Sequence, residues 1–315
     1  MTVIKVNFRG SLSREKCIAS RETLFGYMHK LINQLHYCGR ERTAETYTAA
    51  LNSIARFRGG LDIYLDEINE TLILHYEVYL HSRGVTMNTS SFYMRILRAV
   101  YNKAVENNLV VQCYPFRHVY TGVDKTAKRA ITLKQIRRVK NLDLTHNLDL
   151  AFARDMFLFS FYTRGMSLID MAFLTSANLC NGRLTYTRHK TGQLLSVRWE
   201  RCMQEIVDRY RTPGARYLLP LITHEDEDER QQYKKRSLWL CYRLKCIGQL
   251  LQFDFPLTMY VARHSWASIA RASHIPISII SEGMGHDSEL TTQIYLSSFN
   301  CMEIDKANKR ILNLL

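Results

Sequence analysis

Apolar residues recur at helical spacing along nearly the whole chain, and only one short stretch switches to the period-two alternation of strands. That pattern restricts the fold to a mainly α class with a small antiparallel β-sheet. From Arg21 to Val111 the apolar positions fall at i, i+3, i+4 and i+7, as in Tyr47, Leu51 and Ile54, with Gly59, Gly60 and Gly84 as punctuation. After Asn88 a last helix sets Phe92, Ile96 and Val100 on one stripe and Arg95, Arg98 and Asn102 on another face. The second face suits a row of phosphates, and an ordinary solvated face carries the same pattern.

Pro115 and Gly122 interrupt the periodicity, and Lys125, Lys128 and Arg129 make residues 112–130 a basic linker. A fresh helix start follows, because Thr132 and Gln135 have the spacing of a capping box. The organisation expected is therefore an N-terminal extension (1–20), a helical domain (21–111), the linker (112–130), a second domain (131–300) and a terminal helix (301–315). In the second domain Asn181 and Gly182 signal a turn. Leu184 to Arg188 and Leu194 to Trp199 read as two strands joined by His189, Lys190, Thr191 and Gly192, which puts Lys190 at a hairpin tip. The acidic run Glu225 to Glu229 caps a helical stretch reaching roughly Gln252. The last segment aligns Ile304, Ala307, Ile311, Leu312 and Leu315, an apolar stripe suited to packing on its own domain or on a neighbouring protomer.

Charge narrows the partner. Lys plus Arg number 43 against 29 Asp plus Glu, a formal net charge of +14, which favours a polyanion such as nucleic acid. The eight cysteines show neither a C-x-x-C pair nor the Cys/His spacing of a zinc site, and read as reduced thiols of a cytosolic protein. No apolar run reaches the roughly 18 residues that span a bilayer. No glycine-rich phosphate loop or H-E-x-x-H pattern is present, so neither a nucleotide nor a metal cofactor is expected.

The residues richest in chemistry lie between Leu257 and Leu296, which contains LTMYVARHSWA and then EGMGHDSELTTQIYL. Breaking a phosphodiester requires cations to neutralise the non-bridging oxygens as the nucleophile arrives, and arginine's planar fork suits that task. A tyrosine nucleophile keeps the bond energy in a phosphotyrosine, and a lysine on a hairpin suits protonation of the leaving 5′-oxygen. Taken singly these residues have plainer readings. A tyrosine packs in a helix, a lysine decorates a polar turn, and His264 reads as a satisfied core histidine.

Together they resemble the phage-integrase and Xer family of tyrosine recombinases, which shows H-x-x-R-H, then G-H, then a tyrosine nine residues past that His. Arg263 with His264, Gly285 with His286, and Tyr295 fall at those spacings. The resemblance implies a helical core-binding domain and an α+β catalytic domain that together cover most of the chain. It also implies a catalytic set of Arg164, Lys190, Tyr260, Arg263, His286 and Tyr295: Tyr295 attacks, Arg263 and Arg164 clamp the phosphate, Lys190 protonates the leaving group, and His286 orients or hydrogen-bonds the phosphate. Arg95, Arg98, Lys125, Lys128 and Arg129 are the expected DNA-binding residues. A separate arm-binding domain is not expected, since fewer than about 20 residues precede the first helix.

Two positions depart from the family pattern. Tyr260 stands where the box begins with His, and a phenol of pKa about 10 is a poor base near neutral pH. The family's first arginine, counted back from Asp170, falls on Ser167. Arg164, one turn earlier and by i, i+3 geometry on the same face, is the expected substitute, and Arg154 or a shifted alignment is the other reading.

The resemblance implies a site-specific recombinase, cytoplasmic and nucleoid-associated in a bacterium. It would bind double-stranded DNA at an inverted-repeat core site as a homodimer and synapse two sites as a homotetramer, with an accessory DNA-bending protein as a further partner. Integration, excision and inversion share this chemistry. A type IB topoisomerase, a DNA-binding regulator without catalysis, and a basic protein for RNA or membrane surfaces are the competing readings.

Overall fold

A computed structural model describes residues 21–124, 129–224, 226–286 and 288–295, together with 309, 312 and 313, the side chains of Ile294 and Tyr295 excepted. The chain divides into two compact units, residues 1–126 and 127–315. Lys125 and Lys128, and nearly all of the expected terminal helix, lie outside the described residues.

Among its described residues the first unit holds four α-helices: α1 (Leu24–Tyr37), α2 (Glu41–Phe57), α3 (Glu70–Ser82) and α4 (Met87–Glu106). Thr23 and Asn69 cap α1 and α3 by accepting backbone N–H groups. The helical stripes converge on a core that includes Met28, Ile54, Tyr76, Leu80, Met94 and Leu97. The hydroxyl of fully buried Tyr76 donates to Ser53 Oγ at 2.7 Å, so its burial leaves no unmet polar group. On α4, Ile96 and Val100 are buried, while Arg95 and Arg98 are exposed on the opposite face, as their spacing predicts. The stretch 112–124, linker-like in sequence, is strapped to this unit. Phe116 and Val119 enter its core, Ser91 Oγ donates to the Gly122 carbonyl, and Tyr120 N–H donates to Glu77. Pro115 and Gly122 stop a helix there without freeing the chain.

The second unit is built around α6 (Leu148–Tyr162), buried on nearly every side and packed against α9 (Glu229–Leu250) and α10 (Met259–Ala272). Before it, α5 (Leu133–Lys140) begins with the expected capping box of Thr132 and Gln135. After it come α7 (Leu168–Ala172), a three-stranded antiparallel sheet in the order β1 (Leu179–Cys180), β2 (Arg183–Thr187), β3 (Leu194–Arg198), and α8 (Arg201–Tyr210). The chain ends its described course with α11 (Ile277–Met284) and α12 (Glu289–Tyr295). The sequence predicts two strands; the third, β1, is only two residues long and forms because Asn181 (φ 50°) and Gly182 (φ 69°) both take the left-handed conformation of a two-residue hairpin.

One crossing sets the position of everything that follows. At the end of α6 the chain turns through two left-handed residues, Arg164 (φ 62°) and Gly165 (φ 77°), where α10 passes so close that a Cβ on Gly165 would lie 2.6 Å from the Arg263 Cα. Only glycine satisfies both demands. This turn also corrects one expectation: Arg164 and Ser167 do not share a helical face, because Gly165 separates them and Ser167 caps α7 instead. Gly165→Ala should therefore cost more than about 2 kcal/mol in urea unfolding, against about 1 kcal/mol for Gly182→Ala, where a Cβ meets nothing within 4 Å. Equal losses at the two sites would show that the crossing is slack.

Candidate active site

The floor of the candidate site is the guanidinium of Arg263, which α10 carries into the interior at 6 % exposure. Its Nη1 donates to the Gly165 carbonyl at 2.8 Å, and its Nη2 donates to the Met284 carbonyl at 2.6 Å. Both acceptors sit where helical hydrogen bonding has run out, at the turn after α6 and at the last residue of α11. Nη2 also lies 2.9 Å from His286 Nε2. An arginine only donates, so His286 must accept through Nε2 and carry its proton on Nδ1, which faces Thr292 Oγ1 at 2.7 Å. Burial lowers the His286 pKa to about 4, and the nearby positive charges of Arg263, Arg188 and Lys190 act in the same direction. At neutral pH it is an uncharged strut between Arg263 and α12.

Arg164 approaches the same place from the α6 turn. Its side chain runs beside Gly283 of α11, where a Cβ would stand 3.6 Å from the Arg164 Cδ. Its guanidinium makes no hydrogen bond or ion pair among the described residues, and a non-glycine residue held at positive φ is the kind of stored strain that clusters at working sites. Arg154 belongs elsewhere: it donates to Asp155 and to the Leu142 carbonyl, in a cluster where Asp155 also accepts from Arg209 and Tyr210. Ser167 donates to Asp170 Oδ2 at 2.6 Å.

The β2–β3 hairpin supplies the next cation. Lys190 is exposed at its tip and close enough to bear on His286. Asp170, 3 % exposed on α7, accepts at Oδ1 from the His189 backbone N–H at 2.9 Å and faces the His189 ring at 3.1 Å. Tyr186 lies beneath the group. Its hydroxyl pKa is raised chiefly by burial and by Asp170, while Arg263, Arg188 and Arg164 oppose the rise, which places all three guanidinium groups within electrostatic range of one ring.

Arg263 and His286 are thus bonded to each other, Lys190 bears on His286, and Arg164 runs beside Gly283 at the end of α11. Tyr260, one turn before Arg263, is half-exposed, and its ring stands edge-on to that of buried His264 at 4.3 Å. Tyr295 ends α12, one turn past the Thr292 that His286 grips, and its side chain lies outside the described residues. Arg129 is exposed at the start of the second unit. Sequence reasoning passed over Arg188 and Thr292, and used Asp170 only as the landmark for the first arginine. Arg188 had a signal, since it continues the buried phase of Leu184 and Tyr186 along the strand, where a charge is out of place.

Among the described residues, no helix is long and apolar enough to cross a membrane, and no group of three His, Cys, Asp or Glu residues is arranged to hold a metal.

Residues 23–119 match the family model of the phage integrase SAM-like domain. No curated protein sequence matches the chain. Similar solved structures include a lambda integrase dimer bound to a COC′ core site (14 % identity, TM-score 0.67, 87 % of this chain and 95 % of that one). They also include a lambda integrase tetramer bound to a Holliday junction (14 %, 0.67, 89 % and 78 %). A third is the Tn1549 transposon integrase with circular intermediate DNA (13 %, 0.64, 90 % and 99 %).

A histidine held neutral by its surroundings stabilises the fold fully above its unfolded pKa of about 6.5, and that stability is lost as pH falls towards about 4. Thermal unfolding at steps from pH 7 to 5 should show an acid loss that His286→Asn reduces by on the order of 1–3 kcal/mol. An unchanged acid slope in the variant would show that His286 does not titrate as described.

Proposed function

We propose, from the match of residues 23–119 to the phage integrase SAM-like family model and from the likeness of the fold to integrases bound to DNA, that this chain is a tyrosine recombinase, a site-specific DNA recombinase acting through a 3′-phosphotyrosine at Tyr295. The observation that carries this reading is the approach of Arg263 and Lys190 to His286, with Arg164 running beside Gly283 at the end of α11 and with α12 tied to that histidine and ending at Tyr295.

In this reading the Tyr295 oxygen attacks the scissile phosphorus while Arg263 and Arg164 neutralise the non-bridging oxygens. Arg263 arrives already oriented, because the carbonyls of Gly165 and Met284 fix its plane. Lys190 gives its proton to the departing 5′-oxygen. The role for His286 shifts from touching phosphate to holding Arg263, since its Nε2 is occupied as an acceptor. Tyr260, half-exposed beside Arg263, adds a hydrogen bond to phosphate rather than acting as a base. Rejoining reverses the steps when a 5′-hydroxyl attacks the phosphotyrosine.

The partner proposed is double-stranded DNA with an inverted-repeat core site, bound by a homodimer, with a homotetramer in synapsis and an accessory DNA-bending protein. The lambda integrase dimer on a core site and tetramer on a Holliday junction support this assembly by analogy of fold. The exposed arginines 95 and 98 on α4, and Arg129, are its backbone contacts, with Lys125 and Lys128 assigned from sequence alone. Integration, excision and inversion all remain outcomes of this one chemistry. Ser167 and Tyr260, where the family pattern has Arg and His, favour a second reading, a DNA-binding regulator that does not cut.

The test uses a nicked duplex carrying a site that the protein selects from a random-sequence library. The parent should form a denaturant-resistant adduct on a 3′-phosphate, and Tyr295→Phe should bind without forming it. Arg263→Ala should slow adduct formation by roughly 100-fold or more. An adduct that persists in the phenylalanine variant would overturn the nucleophile, and binding with no adduct in the parent would establish the regulator.

A further inference from the structure

The hairpin that carries Lys190 is anchored by a buried charge to which neither the family pattern nor the catalytic scheme assigns a part. Arg188 is 7 % exposed, yet among the described residues no carboxylate pairs with it. A guanidinium buried without a counter-ion is costly and persists only where its hydrogen bonds serve a purpose. Its Nη1 donates to the carbonyl of Gly285, the left-handed residue that ends α11 and immediately precedes His286.

The return arm of the hairpin reaches the same glycine. A Cβ on Gly285 would stand 2.8 Å from Leu195 Cδ1 and 3.0 Å from Gln193 Oε1, so the two segments are in contact with no room between them. On the other side of the turn, His189 is fixed to Asp170 of α7. Backbone bonds from Arg188 N–H to the Gln193 carbonyl (2.9 Å) and from Gly192 N–H to the Arg188 carbonyl (2.8 Å) close the loop. The two residues before Lys190 are therefore pinned, one to α11 and one to α7, and Lys190 follows them, exposed at the tip.

We infer that Arg188 is a positioning residue for leaving-group protonation: its bond to the Gly285 carbonyl holds the hairpin against the end of α11 and so places the Lys190 ammonium. The inference rests, for the role of Lys190, on the recombinase reading above. In that step Tyr295 releases its phenolic proton to solvent water as its oxygen bonds to phosphorus, the P–O5′ bond breaks, its electron pair stays on O5′, and O5′ takes a proton from Lys190. A 5′-bridging sulfur removes the need for that proton, since a thiolate leaves far more readily than an alkoxide.

The experiment compares Arg188→Met, Lys190→Ala and Arg263→Ala with the parent on oxygen and 5′-bridging sulfur substrates. Arg188→Met should slow cleavage about tenfold or more on oxygen and return to within about threefold of the parent on sulfur, as Lys190→Ala does, whereas Arg263→Ala stays slow on both. Equal slowing of Arg188→Met on the two substrates, or no slowing on either, overturns the inference. Amide hydrogen exchange of the free protein reads the anchor itself: exchange across residues 188–194 should quicken in Arg188→Met while α6 and α10 keep their protection. An unchanged hairpin overturns the anchor whatever the activity, and a parent that cleaves neither substrate defeats the recombinase reading alone.

Discussion

A single buried guanidinium organises the second unit. Arg263 joins the turn after α6, the last residue of α11 and His286 through three hydrogen bonds, so α10, the turn after α6 and the end of α11 share one planar group. Because the donor geometry of arginine is fixed, those segments hold one relative arrangement, and the close glycine crossing at Gly165 is what lets α10 deliver the group there. Charge buried in this way is stable only with acceptors around it, and the carbonyls left over at helix ends are those acceptors. Burial, with the same positive field acting in the same direction, keeps His286 neutral, which in turn allows it to accept from Arg263 and to grip Thr292. Orientation, protonation state and the placement of α12 thus follow from one interaction.

The hairpin repeats the device. Arg188 takes the carbonyl one residue past the one Arg263 takes, so the end of α11 is held by two guanidinium groups approaching from different elements. Catalysis of phosphoryl transfer asks little of a protein beyond cations that are already in position when the phosphate arrives. In the recombinase reading proposed above, helix-end carbonyls that already fix Arg263 and Arg188 would have such cations in place.

Much of this was legible in the sequence. Helical periodicity located α2 and α4, the Thr132 and Gln135 spacing marked the start of α5, and the strand pattern put Lys190 at a hairpin tip. The ordered spacings of Arg263, His286 and Tyr295 singled out α10, α11 and α12, because those intervals are local in sequence. What escaped notice depends on chain reversals that periodicity does not encode. The left-handed pair Arg164 and Gly165 broke the helical face assumed for Ser167, and a residue as far away as Gly285 gave Arg188 its partner. Asp170 served in the sequence only to locate the first arginine, and on α7 it is the second anchor of the hairpin, through a residue 19 positions away. Residues 112–124 carry the signature of a linker but lie strapped to the first unit, because hydrogen bonds to Ser91 and Glu77 come from distant helices.

The central claim is that Arg263 is preorganised, gripping Gly165 and Met284 before any phosphate binds and keeping that grip afterwards. A structure of the protein on its DNA site with vanadate trapped between Tyr295 and the 5′-hydroxyl measures this directly. The account predicts Arg263 and Arg164 on the equatorial oxygens, Tyr295 in line, and the carbonyl bonds of Arg263 intact. Vanadate held away from Arg263, or an Arg263 that must abandon both carbonyls to reach it, would contradict the account.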